Sequence, residues 1–90
     1  MTPSERLIAL LEEAPRLSLF VRNEVRFDKF DAYELVTAVR NDGPPPPLAE
    51  AADAVEDAVR NARPVPLTDQ VRIPRAQVDE LVTALRAASG

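Results

Sequence analysis

The 90-residue chain contains no cysteine, no histidine and no tryptophan. Without cysteine it forms neither disulfides nor thiolate nucleophiles, and without histidine it lacks the commonest acid–base group and zinc ligand. Its two glycines cannot supply a glycine-rich phosphate loop, and its serines have no imidazole to activate them. The sequence therefore predicts a protein that is not an enzyme, with no metal, no cofactor and no small-molecule substrate.

Long apolar runs are missing as well. No stretch of about 18 apolar residues occurs, and residues 1–14 carry charges within their apolar part, so neither a membrane span nor a secretion signal is predicted. We therefore expect a cytoplasmic protein. The net charge of −4 makes binding to nucleic acid an unfavoured function.

The sequence does contain an internal repeat. Residues 25–40, VRFDKFDAYELVTAVR, match residues 71–86, VRIPRAQVDELVTALR, at eight of sixteen positions without a gap. The length suits one domain, so we expect a single domain that covers residues 1–90. Within it, the repeat predicts unit one at 1–43 and unit two at 48–90, separated by the proline linker 44–47 and related by a pseudo-twofold axis.

Four amphipathic helices are predicted from apolar residues at helical spacing. Thr2 and Glu5 form a capping box before the first helix, and Asp28 caps the second. Gly43 suits the left-handed residue that follows the second helix, and Pro64 ends the third. The buried positions of the second and fourth helices are predicted to correspond one to one: Ala32, Leu35, Val36 and Val39 with Val78, Leu81, Val82 and Leu85.

Alternating apolar residues predict one β-hairpin in each unit. The first covers residues 17–27, with residues 22–24 between its strands and Asn23 at the turn. The second covers residues 65–73, with Val65 and Leu67 facing Val71 and Ile73 across residues 68–70. The predicted fold class is therefore α+β, with two tandem helix–hairpin–helix repeats in one small domain. Because aromatic residues make up only 4% of the chain, its core is thin, and we expect a homodimer that buries further apolar surface.

Arginines on the predicted strands are the first group of candidate binding residues. Arg26 and Arg72 are flanked by core-facing residues, so both point outwards, and Arg75 follows the second strand closely. Paired strand arginines that precede helices resemble ribbon-helix-helix proteins, which read the DNA major groove with a β-ribbon. The other interpretation is that exposed arginines only solubilise a strand.

Aromatic residues of unit one are the second group. The candidates are Phe20, Phe30 and Tyr33, whose counterparts in unit two are Pro66, Ala76 and Asp79. The fold is thus built in unit two without aromatic side chains at these positions. Phe30 and Tyr33 either pack against the other unit or form an exposed aromatic edge that binds a partner.

The segment VRNARPVPLTDQVR, residues 59–72, resembles the N-terminal head of DivIVA-like, SepIVA-type coiled-coil proteins of actinobacteria. In that family a helix ending in an NAKP-like sequence leads into VPLTDQVRV. The matching residues here are Asn61, Ala62, Pro64, Val65, Pro66, Leu67, Thr68, Asp69, Gln70, Val71 and Arg72. The resemblance implies a role in cell division or polar growth through self-association and recruitment.

Three functions are therefore considered. The first is a protein–protein interaction or scaffold module, which binds itself as a homodimer and also binds another protein. The second is a DNA-binding regulator of the ribbon-helix-helix type. The third is a docking domain between large synthase subunits, since some of those domains are small helix–hairpin–helix modules.

Overall fold

The chain folds into helices packed on a small antiparallel sheet. A computed structural model describes residues 2–13, 16–17 and 24–89. Its elements follow the order α1 (Pro3–Glu13), β1 (Arg16–Leu17), β2 (Glu24–Asp28), α2 (Lys29–Asn41), α3 (Pro46–Asn61), β3 (Gln70–Pro74) and α4 (Arg75–Ser89). The sheet order is β1-β2-β3, α3 packs against α2 and α4, and α1 also contacts both of these helices. The predicted α+β class is confirmed.

The helix ends follow the predicted capping residues. The Thr2 hydroxyl accepts the backbone N–H of Glu5 at 3.2 Å and also donates to the Glu5 carboxylate, so α1 begins at Pro3. One carboxylate oxygen of Asp28 accepts the first free N–H groups of α2, at 2.9 and 3.0 Å. Gly43 follows α2 at φ 65°, the left-handed conformation in which glycine has no Cβ penalty.

The first hairpin has a different register from the predicted one. β1 pairs antiparallel with β2, and Leu17 lies opposite Glu24. The turn was predicted around Asn23 and included Glu24, but Glu24 is the first residue of β2, so that placement is wrong. Residues 18–23, which include the rest of the predicted turn, lie outside the described residues.

The second predicted hairpin is wrong. Residues 65–69 form a turn and not a strand, and β3 pairs with β2 of the other unit. The physical reason is that Pro64 and Pro66 have no N–H to donate to a sheet ladder. In the observed register Arg26 lies opposite Arg72, so the two arginines that the sequence repeat equates are cross-strand neighbours, while Val25 lies opposite Ile73.

The core lies between the sheet and the helices and is built almost wholly from aliphatic side chains. Its residues are Leu7, Leu11, Val25, Phe27, Ala32, Val36, Val39, Leu48, Ala51, Ala52, Val55, Val59, Val71, Ile73, Val78, Leu81 and Leu85. The predicted one-to-one correspondence of α2 and α4 fails at two positions. Leu35 is partly buried where Leu81 is fully buried, and Val82 is partly buried where Val36 is fully buried. The two helices therefore present slightly different faces to the core.

The molecule is one compact domain. Its radius of gyration is 12.3 Å, close to the roughly 12 Å expected for a folded chain of this length. Helix α3 starts at Pro46, so two of the four linker prolines belong to its first turn, where proline is well tolerated. Among the described residues, no helix combines the length and the apolar character that crossing a membrane requires.

Candidate functional site

The turn before β3 holds a leucine out into solvent. The N–H of Val65 donates to the carbonyl of Gln70 at 2.7 Å, and the Thr68 N–H and hydroxyl both donate to the Val65 carbonyl, at 3.0 and 2.8 Å. Within this network Leu67 adopts a left-handed backbone at φ 67°, and its exposed fraction is 105%. The turn therefore fixes a large apolar side chain in water.

Two aromatic side chains lie near this turn at the start of α2. The N–H of Lys29 donates to the carbonyl of Asp69 at 2.8 Å, which joins the helix start to the turn. Phe30 is 63% exposed and Tyr33 is 39% exposed, so the interpretation that both pack inside the domain is wrong for Phe30. We call Phe30, Tyr33 and Leu67 the exposed apolar surface.

A charged cluster lies beside this surface, between α2 and α3. Glu56 is buried, with 4% of the residue exposed, and its carboxylate accepts hydrogen bonds from the guanidinium groups of Arg40 and Arg60. Arg40 also pairs with Asp53 at 2.6 Å. Tyr33 is close enough to Arg60 to raise the pKa of its guanidinium, so the exposed apolar surface adjoins the cluster.

Both arginines of the cluster have a raised pKa. Hydrogen bonding to Glu56 is the main cause for Arg40, and hydrogen bonding to Tyr33 is the main cause for Arg60. A raised pKa means that the folded state favours the charged guanidinium. The resulting stability is present below the ordinary pKa of arginine and is lost only as the pH rises through the raised pKa. The cluster arginines therefore stay charged throughout the neutral range.

The solvent face of the sheet brings together the two strand arginines. Arg26 lies directly opposite Arg72, and its guanidinium Nε–H donates to the side-chain oxygen of Gln70. Two carboxylates on the same face of β2, those of Glu24 and Asp28, offset the two positive charges. This face therefore holds paired arginines without a net positive charge.

The other predicted binding residues lie elsewhere. Arg75 is partly buried at the start of α4, where it pairs with Asp79 of the same helix at 3.4 Å. That geometry is typical of an ion pair one helical turn apart. Phe20 lies outside the described residues. Among the residues that the structure describes, no group of three or more carboxylates is placed to hold a metal ion.

The most exposed residue of the site was missed at the sequence level. Leu67 was predicted to lie on a hairpin strand that faces Val71 and Ile73, because VPL matches an alternating strand pattern. A usable signal was present in Pro64 and Pro66, since two prolines around a single residue prevent regular strand pairing. The segment LTDQ that follows is also rich in turn-forming residues.

Comparison with known proteins finds no relative of this chain. The chain matches no protein-family model, no curated protein and no solved structure. The similarity to DivIVA-like head segments therefore stays a prediction from residues 59–72. The features of the chain that bear on its function are the exposed apolar surface, the charged cluster and the strand arginines.

Proposed function

We propose that this chain is a non-enzymatic protein-interaction module that binds through the exposed apolar surface. The observation that carries the proposal is Leu67, a fully solvated leucine on a left-handed backbone. That conformation costs a non-glycine residue about 1–2 kcal/mol. The hydrogen bonds of the turn hold this conformation, but the Leu67 side chain itself gains no burial in the free domain. A partner that covers Leu67 supplies the missing burial, which gives the strained turn a function.

The sequence resemblance supports a scaffold role in particular. Residues 59–72, which resemble the DivIVA-like head, contain the turn that exposes Leu67. A resemblance concentrated in an exposed turn favours a shared binding role over shared core packing. The proposed setting is therefore cell division or polar growth in the cytoplasm, where the chain recruits or organises other proteins.

We also infer that the two units are related by a pseudo-twofold axis and that a second copy is one partner. The heptapeptide supports the axis, because its final arginine contacts a glutamate of the other unit in both copies. These contacts join Arg40 to Glu56 and Arg86 to Glu12. A second copy is favoured because the thin core leaves three large apolar side chains exposed, and a twofold dimer covers such a surface on both chains.

A second candidate function is duplex DNA binding by the β2–β3 ribbon. The specific observation in its favour is that Arg26 and Arg72 lie opposite each other on the solvent face. A mobility-shift assay at low salt with a DNA duplex of about 30 base pairs tests it, since phosphate contacts are strongest there. A shift that R72A weakens supports this function. No shift, or an unchanged shift with R72A, removes it.

Affinity capture tests the interaction module directly. Wild-type protein, F30S/L67S and the control A54S/A76S are immobilised, and the retained cellular proteins are compared. The control alters two exposed apolar residues away from Leu67. We expect the wild type and the control to retain the same proteins and F30S/L67S to lose them, with circular dichroism showing that all three remain folded. Identical capture by all three proteins contradicts the proposal.

A further inference from the structure

A groove runs between α1 and α2 on the face next to Phe30. It has a volume of about 340 Å³ and is open to solvent along its length. Its walls are two helical stripes, and their residues are Arg6, Ala9, Leu10, Glu13, Asp31, Glu34 and Leu35. The α1 stripe follows the spacing i, i+3, i+4, i+7, so it is one continuous face about two turns long.

The groove combines an apolar floor with an acidic rim. Leu10 and Leu35 are partly buried and pack against the core from this side. The rim carries the carboxylates of Glu13, Asp31 and Glu34, against the single positive charge of Arg6. Within the described part of the chain, none of these three carboxylates forms an ion pair, whereas Glu12 on the opposite side of α1 pairs with Arg86. The rim thus has negative charge available to a ligand.

The floor of this groove differs from the equivalent position in unit two. Leu35 forms part of the floor, while its counterpart Leu81 in α4 is completely buried. The leucine of the repeated heptapeptide is therefore partly exposed in one copy and covered in the other. The access to Leu35 thus does not follow from the repeated sequence alone.

We propose that the α1–α2 groove binds a basic amphipathic helix of another protein. Helices commonly dock their apolar face into a groove of this kind, using anchors at i, i+3, i+4 and i+7. Three carboxylates and one arginine give the rim a net charge of −2. The residues that flank the apolar anchors of the ligand helix are therefore expected to be basic. Phe30 lies one turn from Glu34 on the same helix, so the ligand reaches the exposed apolar surface as well. The inference rests on the proposed function and names its partner.

A synthetic peptide tests the groove. The probe is a fluorescein-labelled helix of about 15 residues with leucines at the anchor spacing and lysines elsewhere, compared with the same peptide carrying glutamates. Fluorescence anisotropy with wild-type protein at about 0.15 M salt is expected to show binding of the lysine peptide only. Equal affinity for the two peptides, or no binding of the lysine peptide, overturns the proposal.

A matched pair of variants separates the groove from general charge attraction. D31N/E34Q removes two rim carboxylates, and D42N/E50Q removes two exposed carboxylates elsewhere, so both variants change the net charge equally. We expect D31N/E34Q to weaken binding of the lysine peptide at least about fivefold, and D42N/E50Q to weaken it less than about twofold. Equal weakening by the two variants also overturns the proposal.

The outcomes distinguish this inference from the proposed function. If the lysine peptide does not bind but cellular proteins are captured through Phe30 and Leu67, the interaction module is supported and the basic-helix partner is rejected. If the peptide binds in the groove but the F30S/L67S variant loses no cellular protein, the groove assignment stands and the exposed apolar surface is rejected as the binding site.

Discussion

At the scale of single residues, the surroundings of a side chain determine its contribution more than its identity does. Glu56 and Glu12 each accept a hydrogen bond from the last arginine of the repeated heptapeptide. Their side chains differ in exposure, at 5% for Glu56 and 40% for Glu12. Removing a partner from a buried ion pair costs much more than removing one from an exposed pair.

The two glutamates therefore give different stability losses. We expect Glu56→Gln to lower the free energy of unfolding by about 2 kcal/mol, because two guanidinium groups lose a charged acceptor whose side chain is buried. Glu12→Gln is expected to cost less than about 0.5 kcal/mol. Urea denaturation measures both, and similar losses for the two variants contradict the assigned role of Glu56.

Backbone conformation gives a second residue-scale prediction. Gly43 and Leu67 share nearly the same left-handed φ, 65° and 67°. Gly43→Ala should cost about 1 kcal/mol through strain alone, since nothing lies within 4 Å of the added Cβ. Leu67→Gly should instead raise the free energy of unfolding by about 0.5–1 kcal/mol, because it relieves strain without removing packing.

Thermal or urea unfolding of both variants checks this contrast. A loss of stability of more than about 0.5 kcal/mol in Leu67→Gly would mean that Leu67 holds the fold together. The proposal that Leu67 binds a partner would then lose its main support.

At the scale of elements, the sequence predicted which segments form helices and strands better than it predicted their partners. The caps Thr2 and Asp28 and the terminator Gly43 act through local hydrogen bonds and backbone preference, so they are readable from the sequence. The pairing of β3 with β2 is a long-range choice that no local pattern encodes. The Leu67 turn was missed because the apolar alternation was given more weight than Pro64 and Pro66, which precede Leu67.

The repeated heptapeptide shows the same limit. Leu35 and Leu81 have identical local sequence, yet only Leu81 is fully buried. We expect Leu81→Ala to lower the free energy of unfolding by about 3 kcal/mol and Leu35→Ala by about 1 kcal/mol. Urea denaturation of the two variants measures the difference. Equal losses would mean that the α1–α2 groove is closed in solution.

At the scale of the whole molecule, composition alone predicted a single domain with an aliphatic, thin core. An exposed edge of Phe30 and Tyr33 was one of two alternatives, but the place of Leu67 in the exposed apolar surface could not be predicted, because its exposure depends on how the turn forms. Phe30 was singled out only because unit two has alanine at the equivalent position. The charged cluster was missed because Glu56 looks like any solvated residue of an acidic helix.

Self-association is the first prediction at this scale. Light scattering on wild-type protein is expected to give twice the chain mass of 9.9 kDa, because a second copy covers the exposed apolar surface. The F30S/L67S variant should elute as a monomer and remain folded, while A54S/A76S should stay dimeric. A wild-type monomer at all accessible concentrations contradicts the homodimer but not binding to another protein.

Site-specific photo-crosslinking in the cells of origin tests whether Leu67 and its neighbours form the binding surface. A photoreactive residue is placed at position 67 or, as the control, at the exposed position 54 of α3. We expect a discrete crosslinked protein from position 67, either a second copy or another chain, and none from position 54. No crosslink from position 67, or the same products from both positions, would contradict it.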